Sequence, residues 1–266
     1  MLMEVKNNIK YFFNAIKVSI KSAMAYKVSF LIQTIFMFIN NAFFLVFWSV
    51  VFKNGGQDSG LVFNNVLYIW AFSTMSYGIT YFFFAGVQQI NKYIITGAMD
   101  SYLLQPKNLL LNVATSKCEF AAFGDLLYGL FVGIIATGGN IGKILLLIVI
   151  ATFGSVFFFS TEIICRAVSV WIGDTQTIAN RYVEMLFITF ATYPENIFKI
   201  GIKIILYTVV PVAYVAYIPA RIMENFSILN LLLIFVVGAI YLFIAVKIFY
   251  KAMKSYESGN SMAMKD

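Results

Sequence analysis

Apolar residues recur near the start of the chain at Val5, Ile9, Phe12, Ile16, Ile20 and Ala23, in steps of three or four. Lys6, Lys10, Lys17 and Lys21 fall on the remaining face. This period predicts an amphipathic helix over 1–27. It either lies flat at a lipid surface with its lysines on anionic headgroups, or packs on protein. The lysines interrupt the apolar centre that a cleavable signal needs. Beyond residue 27 the pattern changes to long runs with no polar face, at 28–52, 61–87, 116–137, 144–172 and 228–250. Runs of this length predict helices that cross a bilayer. Turn-rich strings separate them, KNGGQDSG at 53–60 and GGNIGK at 138–143.

Composition reinforces the pattern. Of 266 residues, 61% are hydrophobic and 12% charged, against roughly half and a quarter in soluble domains, so an all-α membrane protein is expected. No stretch is polar and long enough for a separate catalytic domain. Histidine is absent, which removes Ser-His chemistry, imidazole proton relays and His-ligated metals. Cys118 and Cys165 sit in apolar runs without redox or metal spacing and are expected to be packing residues, so neither a metal site nor a cofactor in this chain is expected. The net charge of +7 is assigned to lipid headgroups and not to nucleic acid.

Lysines precede the first run and Lys247, Lys251 and Lys254 end the last, which places both termini in the cytoplasm and requires an even number of crossings. The connection at 88–115 then also faces the cytoplasm. A sixth crossing is needed between 173 and 227, and two segments compete for it. The segment 201–220 has the better length. The segment 177–193 is short and carries Arg181 and Glu184, yet Pro194, Pro211 and Pro219 make the later stretch suited to two half-helices dipping into the membrane. Hydropathy and proline placement leave both open.

The cytoplasmic connection contains ITGAMDSYLLQPKNLL at 95–110, with Met99, Tyr102, Leu103 and Leu104 beside Asp100, Gln105 and Lys107. Gly97 and Pro106 bracket a helix of one or two turns that offers large apolar groups to the cytosol. Such a patch is either a docking site or a connector resting on lipid. GAMDSYLLQPKN resembles the G-x-hydrophobic-D-x-x-L-L-x-P-x-N segment of permeases in the type-2 ATP-binding-cassette (ABC) exporter class, in particular a bacterial six-span branch. YPENIFKIGIKIILYTVVPVAYVAYIPARIM at 193–223 is similar to the Tyr-Pro, Pro-Val-Ala and Tyr-x-Pro-Ala series of that branch. Gln105 departs from the pattern, where arginine is frequent.

The resemblance implies a six-span permease domain over 28–266, in the plasma membrane, preceded by the interfacial helix at 1–27. It makes 177–193 the fifth span and 194–222 a re-entrant hairpin that includes Pro194, Pro211 and Pro219 and follows Tyr193. It also implies that Gly97, Met99, Asp100, Tyr102, Leu103, Leu104 and Pro106 form a coupling helix seated in a cytoplasmic ATPase dimer, and that the permease pairs with a second copy or a relative. The chain itself has no G-x-x-x-x-G-K-[ST] loop; GNIGKI at 139–144 has the wrong spacing. ATP and magnesium therefore belong to the partner, and this chain is expected to be no enzyme.

Few ionisable residues enter the spans. Glu162 and Arg166 are four apart, acid first, the favourable order for a same-face pair. Arg166 is expected near the cytoplasmic boundary, snorkelling to headgroups, with Glu119 on the third span as a rival partner. The pair either fixes helix rotation or serves transport. Asp125, about 9 Å deeper along its helix, either lines a polar cavity or pairs across a subunit interface. Few charges and 18% aromatic residues favour an amphipathic or apolar cargo. Other functional classes fit less well. An intramembrane aspartyl protease needs a G-x-G-D loop and a second deep aspartate, but Ala122 replaces the first glycine before Asp125. An ion- or proton-coupled carrier needs repeats and a polar midplane, and the coupling component of a vitamin-type ABC importer needs Ala-Arg-Gly motifs; none is present.

Overall fold

Long apolar stretches fold as helices because in lipid each backbone N–H must find its acceptor within its own segment. The computed structural model describes residues 2–54 and 62–257, and these form helices without any strand. The chain begins with α1 (Leu2–Ala25), α2 (Lys27–Lys53) and α3 (Phe63–Phe84). A 3₁₀ turn (Ala85–Gln89) leads into three short helices, α4 (Ile90–Ile95), α5 (Met99–Leu103) and α6 (Leu109–Ala114). Next come α7 (Ala121–Ala136), α8 (Ile141–Ala167) and α9 (Ser169–Ile172). Then α10 (Gln176–Asn180), a π-helical segment (Arg181–Ile188) and α11 (Thr189–Thr192) follow one another directly. The chain continues through α12 (Ile200–Thr208) and α13 (Tyr217–Glu224) to α14 (Ile228–Ser255). The linker residues 55–60 and the side chains of Val5, Lys6, Ile9, Ala23 and Glu184 lie outside the description.

Three helical stretches are long and apolar enough to cross a membrane: α2, Ile141–Ile172 and α14. Helix α7 is shorter, and α12 with Val212–Glu224 forms an apolar pair bent by 76°. The segment 201–220 is therefore no straight rod; Pro211, which lacks an N–H and has φ −72°, stands at the bend. Pro219 lies in the first turn of α13, where a missing N–H costs no hydrogen bond.

Helix α3 is the centre of the bundle. It is buried from Val66 to Ser76 and packs on α7, α8 and α13, while α2 lies on α7 and α14 on α8. Its small hydroxyls bond across to neighbours: Ser76 Oγ donates to the Ala151 carbonyl at 3.0 Å and Thr80 Oγ1 to the Ser155 carbonyl at 3.0 Å. Where lipid offers no hydrophobic drive between helices, small side chains and such bonds hold them together. Helices α2 and α14 present large apolar groups outward, among them Phe36, Phe43 and Leu229. A surface of that kind needs lipid or a second subunit to cover it.

Two boundaries differ from the apolar runs. The run at 116–137 becomes helical only at Ala121; Glu119 precedes α7, and its backbone N–H donates to the Tyr81 carbonyl at 3.1 Å. Helix α1 packs on protein through Phe12, whose ring stacks on Phe84 at 5.4 Å, while Lys10, Lys17 and Lys21 are exposed. Asn140 caps α8 by accepting from the Lys143 N–H at 3.0 Å, after a turn in which Gly138 and Gly139 take positive φ. The GNIGKI string is thus a helix start.

Candidate functional site

The segment 95–107 is built on Gly97, whose φ of 74° reverses the chain between α4 and α5 and strains any residue with a Cβ. On α5, Met99 is wholly buried, in a cluster with Ile94, Leu110, Ile163, Ala245 and Phe249. This corrects the expectation that Met99 faces the cytosol: with only five residues, α5 keeps one apolar anchor inward. Tyr102 is half-buried, its ring 5.0 Å from that of Tyr93. The outward apolar groups are Leu103, 44% exposed, and Leu104, 86% exposed, followed by exposed Pro106. Asp100 lies beside the end of α14; burial, and then the neighbouring Asp100 carboxylate, push the Tyr256 phenol up to about 12.

Two residues that the sequence did not single out hold this segment to α1. Asn112 Nδ2 donates to Gln105 Oε1 at 2.9 Å, and Asn112 Oδ1 accepts from the Tyr11 hydroxyl at 2.6 Å. Lys107 Nζ stands 4.5 Å from the centre of the Tyr11 ring, a cation–π contact. Gln105, the departure from the family pattern, is thus bonded through its amide and not through charge. Asn108 caps α6, accepting from the Leu111 N–H at 3.0 Å. Gly86 allows α6 to approach the end of α3, since a Cβ there would lie 1.9 Å from the Val113 carbonyl oxygen.

Above α4 lies a buried polar network. Glu162 Oε2 pairs with Arg166 Nε at 2.5 Å, and Glu162 Oε1 accepts from the Tyr81 hydroxyl at 2.5 Å. The other guanidinium nitrogens donate to Gln176 Oε1 and Asn180 Oδ1, each at 2.9 Å. Arg166 is 2% exposed, so its guanidinium is enclosed by protein and does not snorkel. Its ion-pair partner is Glu162, whereas Glu119 stands before the start of α7. The loop before α10 continues the chain of contacts to α4. Asn91 Nδ2 donates to Asp174 Oδ1 at 2.8 Å, and Asn91 Oδ1 accepts from the Thr175 N–H at 3.0 Å. The Gln176 backbone N–H and then the Asn91 amide hold the Asp174 carboxyl below the usual carboxylate range.

At the other end of the bundle Glu195 gathers the bent pair. It accepts from Arg221 and from the Tyr207 hydroxyl at 3.2 Å, and Lys203 Nζ lies 3.9 Å away. Tyr193, just before Pro194, packs edge-on against Trp48 with ring centres 6.0 Å apart, and the Tyr217 hydroxyl donates to the Phe190 carbonyl at 2.5 Å. Glu195 and Arg221 carry no spacing signal, being 26 positions apart.

Asp125 sits on α7 with Oδ1 accepting from Asn41 Nδ2 of α2 at 2.6 Å, and it lines a cavity of about 300 Å³ between α2, α3, α7 and α11. Among the described residues, no cluster of His, Cys, Asp and Glu has the makings of a metal site.

A helical bundle with outward apolar helices and a bent apolar pair has the make-up of an integral membrane protein. The chain belongs to the ABC-2 family transporter proteins, whose pattern matches residues 38–260 and so includes the segment at 95–107 and the bent pair. No curated protein and no solved structure matches it.

Proposed function

We propose that this ABC-2 permease is the membrane half of an ATP-driven exporter for an amphipathic or apolar substrate. It crosses the plasma membrane six times, with 177–193 as the fifth crossing, both termini cytoplasmic and the bent pair at 194–222 as a re-entrant hairpin on the outer side. A second copy or a related permease completes the pathway. A cytoplasmic ATPase dimer, which binds the ATP and magnesium, docks on 95–107. The observation that carries this reading is the division of labour on one short helix, with Met99 anchored in the bundle and Leu103 and Leu104 left outside it.

The mechanism follows from that division. A docked ATPase that moves on closing displaces α5, and the Met99 cluster hands the displacement to α8 and α14. Through Asn91, Asp174 and Gln176 the same displacement reaches Arg166, and hence α3 by way of Glu162 and Tyr81. Differential contact of the ATPase with the two arrangements of these helices would shift their populations. The test is Leu103→Glu. A carboxylate in an apolar cleft loses about 2 kcal/mol or more, at least a thirtyfold weakening. Co-purification of the ATPase should disappear while the permease still folds; wild-type recovery of the ATPase would overturn the docking assignment.

A further inference from the structure

The cavity between α2, α3, α7 and α11 holds two buried polar atoms that no residue satisfies. Asp125 is 3% exposed; Asn41 occupies Oδ1, and Oδ2 has no hydrogen-bond partner. Trp70 is 2% exposed, and its Nε1–H is likewise unpartnered. Buried polar groups are nearly always paired, and a lone carboxylate away from water is among the most costly exceptions. Among the described residues no lysine or arginine lines the cavity, and Asp125 is the one acid that does. Around it stand aromatic rings: Phe44 lies 4.7 Å from Trp70, and Tyr77 meets Phe158 edge-on at 5.8 Å. Exposed Asn40 and Phe44 form the rim, so the pocket has an entrance.

We propose that this cavity binds an amphipathic organic cation, with the positive nitrogen at the free oxygen of Asp125 and the apolar body among Phe44, Trp70, Tyr77 and Phe158. A carboxylate and aromatic faces attract the same charge, the first by Coulomb force and the second through the ring quadrupole. The orphan indole N–H adds a place for one acceptor on the ligand. A bare metal ion would want several oxygens, and the walls offer mostly carbon. The volume of about 300 Å³ is at the lower end of small-molecule sites. As a statement about cargo this rests on the export reading; as a binding site it stands without it.

The test is equilibrium binding of ethidium to the full-length purified protein, followed by the rise in dye fluorescence on burial. Asp125→Asn keeps the shape and the contact with Asn41 while removing the charge, and should weaken binding by about tenfold or more. Phe44→Ala, at a rim position 40% exposed, should weaken it by about threefold to tenfold. On the wild type, N-methylphenanthridinium should displace ethidium at least about tenfold more effectively than uncharged phenanthridine, which has the same ring system. Unchanged ethidium affinity in Asp125→Asn, or equal displacement by the charged and uncharged rings, overturns the proposal. The second comparison needs no variant, so misfolding cannot obscure it. Because the measurement uses no nucleotide and no ATPase, its outcome is independent of the docking test at Leu103.

Discussion

Replacing Arg166 by alanine strands the Glu162 carboxylate in the protein interior and takes a donor from two half-buried amides. Glu162 Oε2 loses its ion-pair partner, and Gln176 Oε1 and Asn180 Oδ1 lose the donors that reach them at 2.9 Å. The two charged side chains are 3% and 1% exposed, so water cannot take over the ion pair. Breaking a buried pair from one side costs about 3–5 kcal/mol, most of it the isolated charge left behind. Lys143→Ala is the matched comparison. It removes an exposed cation at the start of α8, where the helix dipole already disfavours positive charge, and should change stability by less than about 0.5 kcal/mol. Thermal unfolding in detergent, followed by loss of monodisperse protein, reads the difference. A second arm separates charge from packing. Glu162→Gln combined with Arg166→Met removes both charges, keeps comparable volume, and should recover most of the loss. Equal midpoints for Arg166→Ala and Lys143→Ala would refute the reasoning, as would a double variant no better than Arg166→Ala. Reconstituted transport should fall in the same order, because the pair connects the loop at 173–176 to α3.

Gly86→Ala places a methyl group against the Val113 carbonyl oxygen and should destabilise the fold by about 1–3 kcal/mol, read as a lowered unfolding midpoint; an unchanged midpoint would mean that α6 is not held against α3 there. Asn112→Ala cuts the hydrogen-bonded link from Gln105 to Tyr11 of α1, leaving the Lys107–Tyr11 contact, and should speed proteolysis at the lysines of residues 1–25 with a stability loss near 1 kcal/mol; protection equal to wild type would remove Asn112 from that role.

What the sequence makes legible depends on range. The Glu162–Arg166 pair is readable because a spacing of four fixes a shared helix face. The segment at 95–108 is readable because its glycine, proline and asparagine each do local backbone work, and Asn108 is a cap. Partners distant in sequence leave no such trace: Asn41 and Asp125 are 84 positions apart, and Tyr81 and Glu162 are 81 apart. The apolar run at 61–87 predicts α3 as a span, but not that its polar atoms face protein. Ser76 and Thr80 bond to α8 carbonyls 75 positions away, a pairing that hydropathy does not record. Averages report apolarity, and α3 uses its polar atoms against protein neighbours. The span boundary also shifts at 116–120, where the run assigned to the third span begins before the helix does. Met99 reads as outward because a five-residue helix has too few turns to display a period.

The burial of Met99 carries a chemical consequence. A thioether sealed among Ile94, Phe249 and Ala252 is shielded from peroxide, whereas the same sulfur becomes oxidisable once the short helix lifts from its socket. Conversion to the sulfoxide would then put a polar S–O group where the cluster accepts only carbon, and the helix would not reseat. On the proposed docking, a stroke that loosens this rivet would open one sulfur to damage that methionine sulfoxide reductases must reverse.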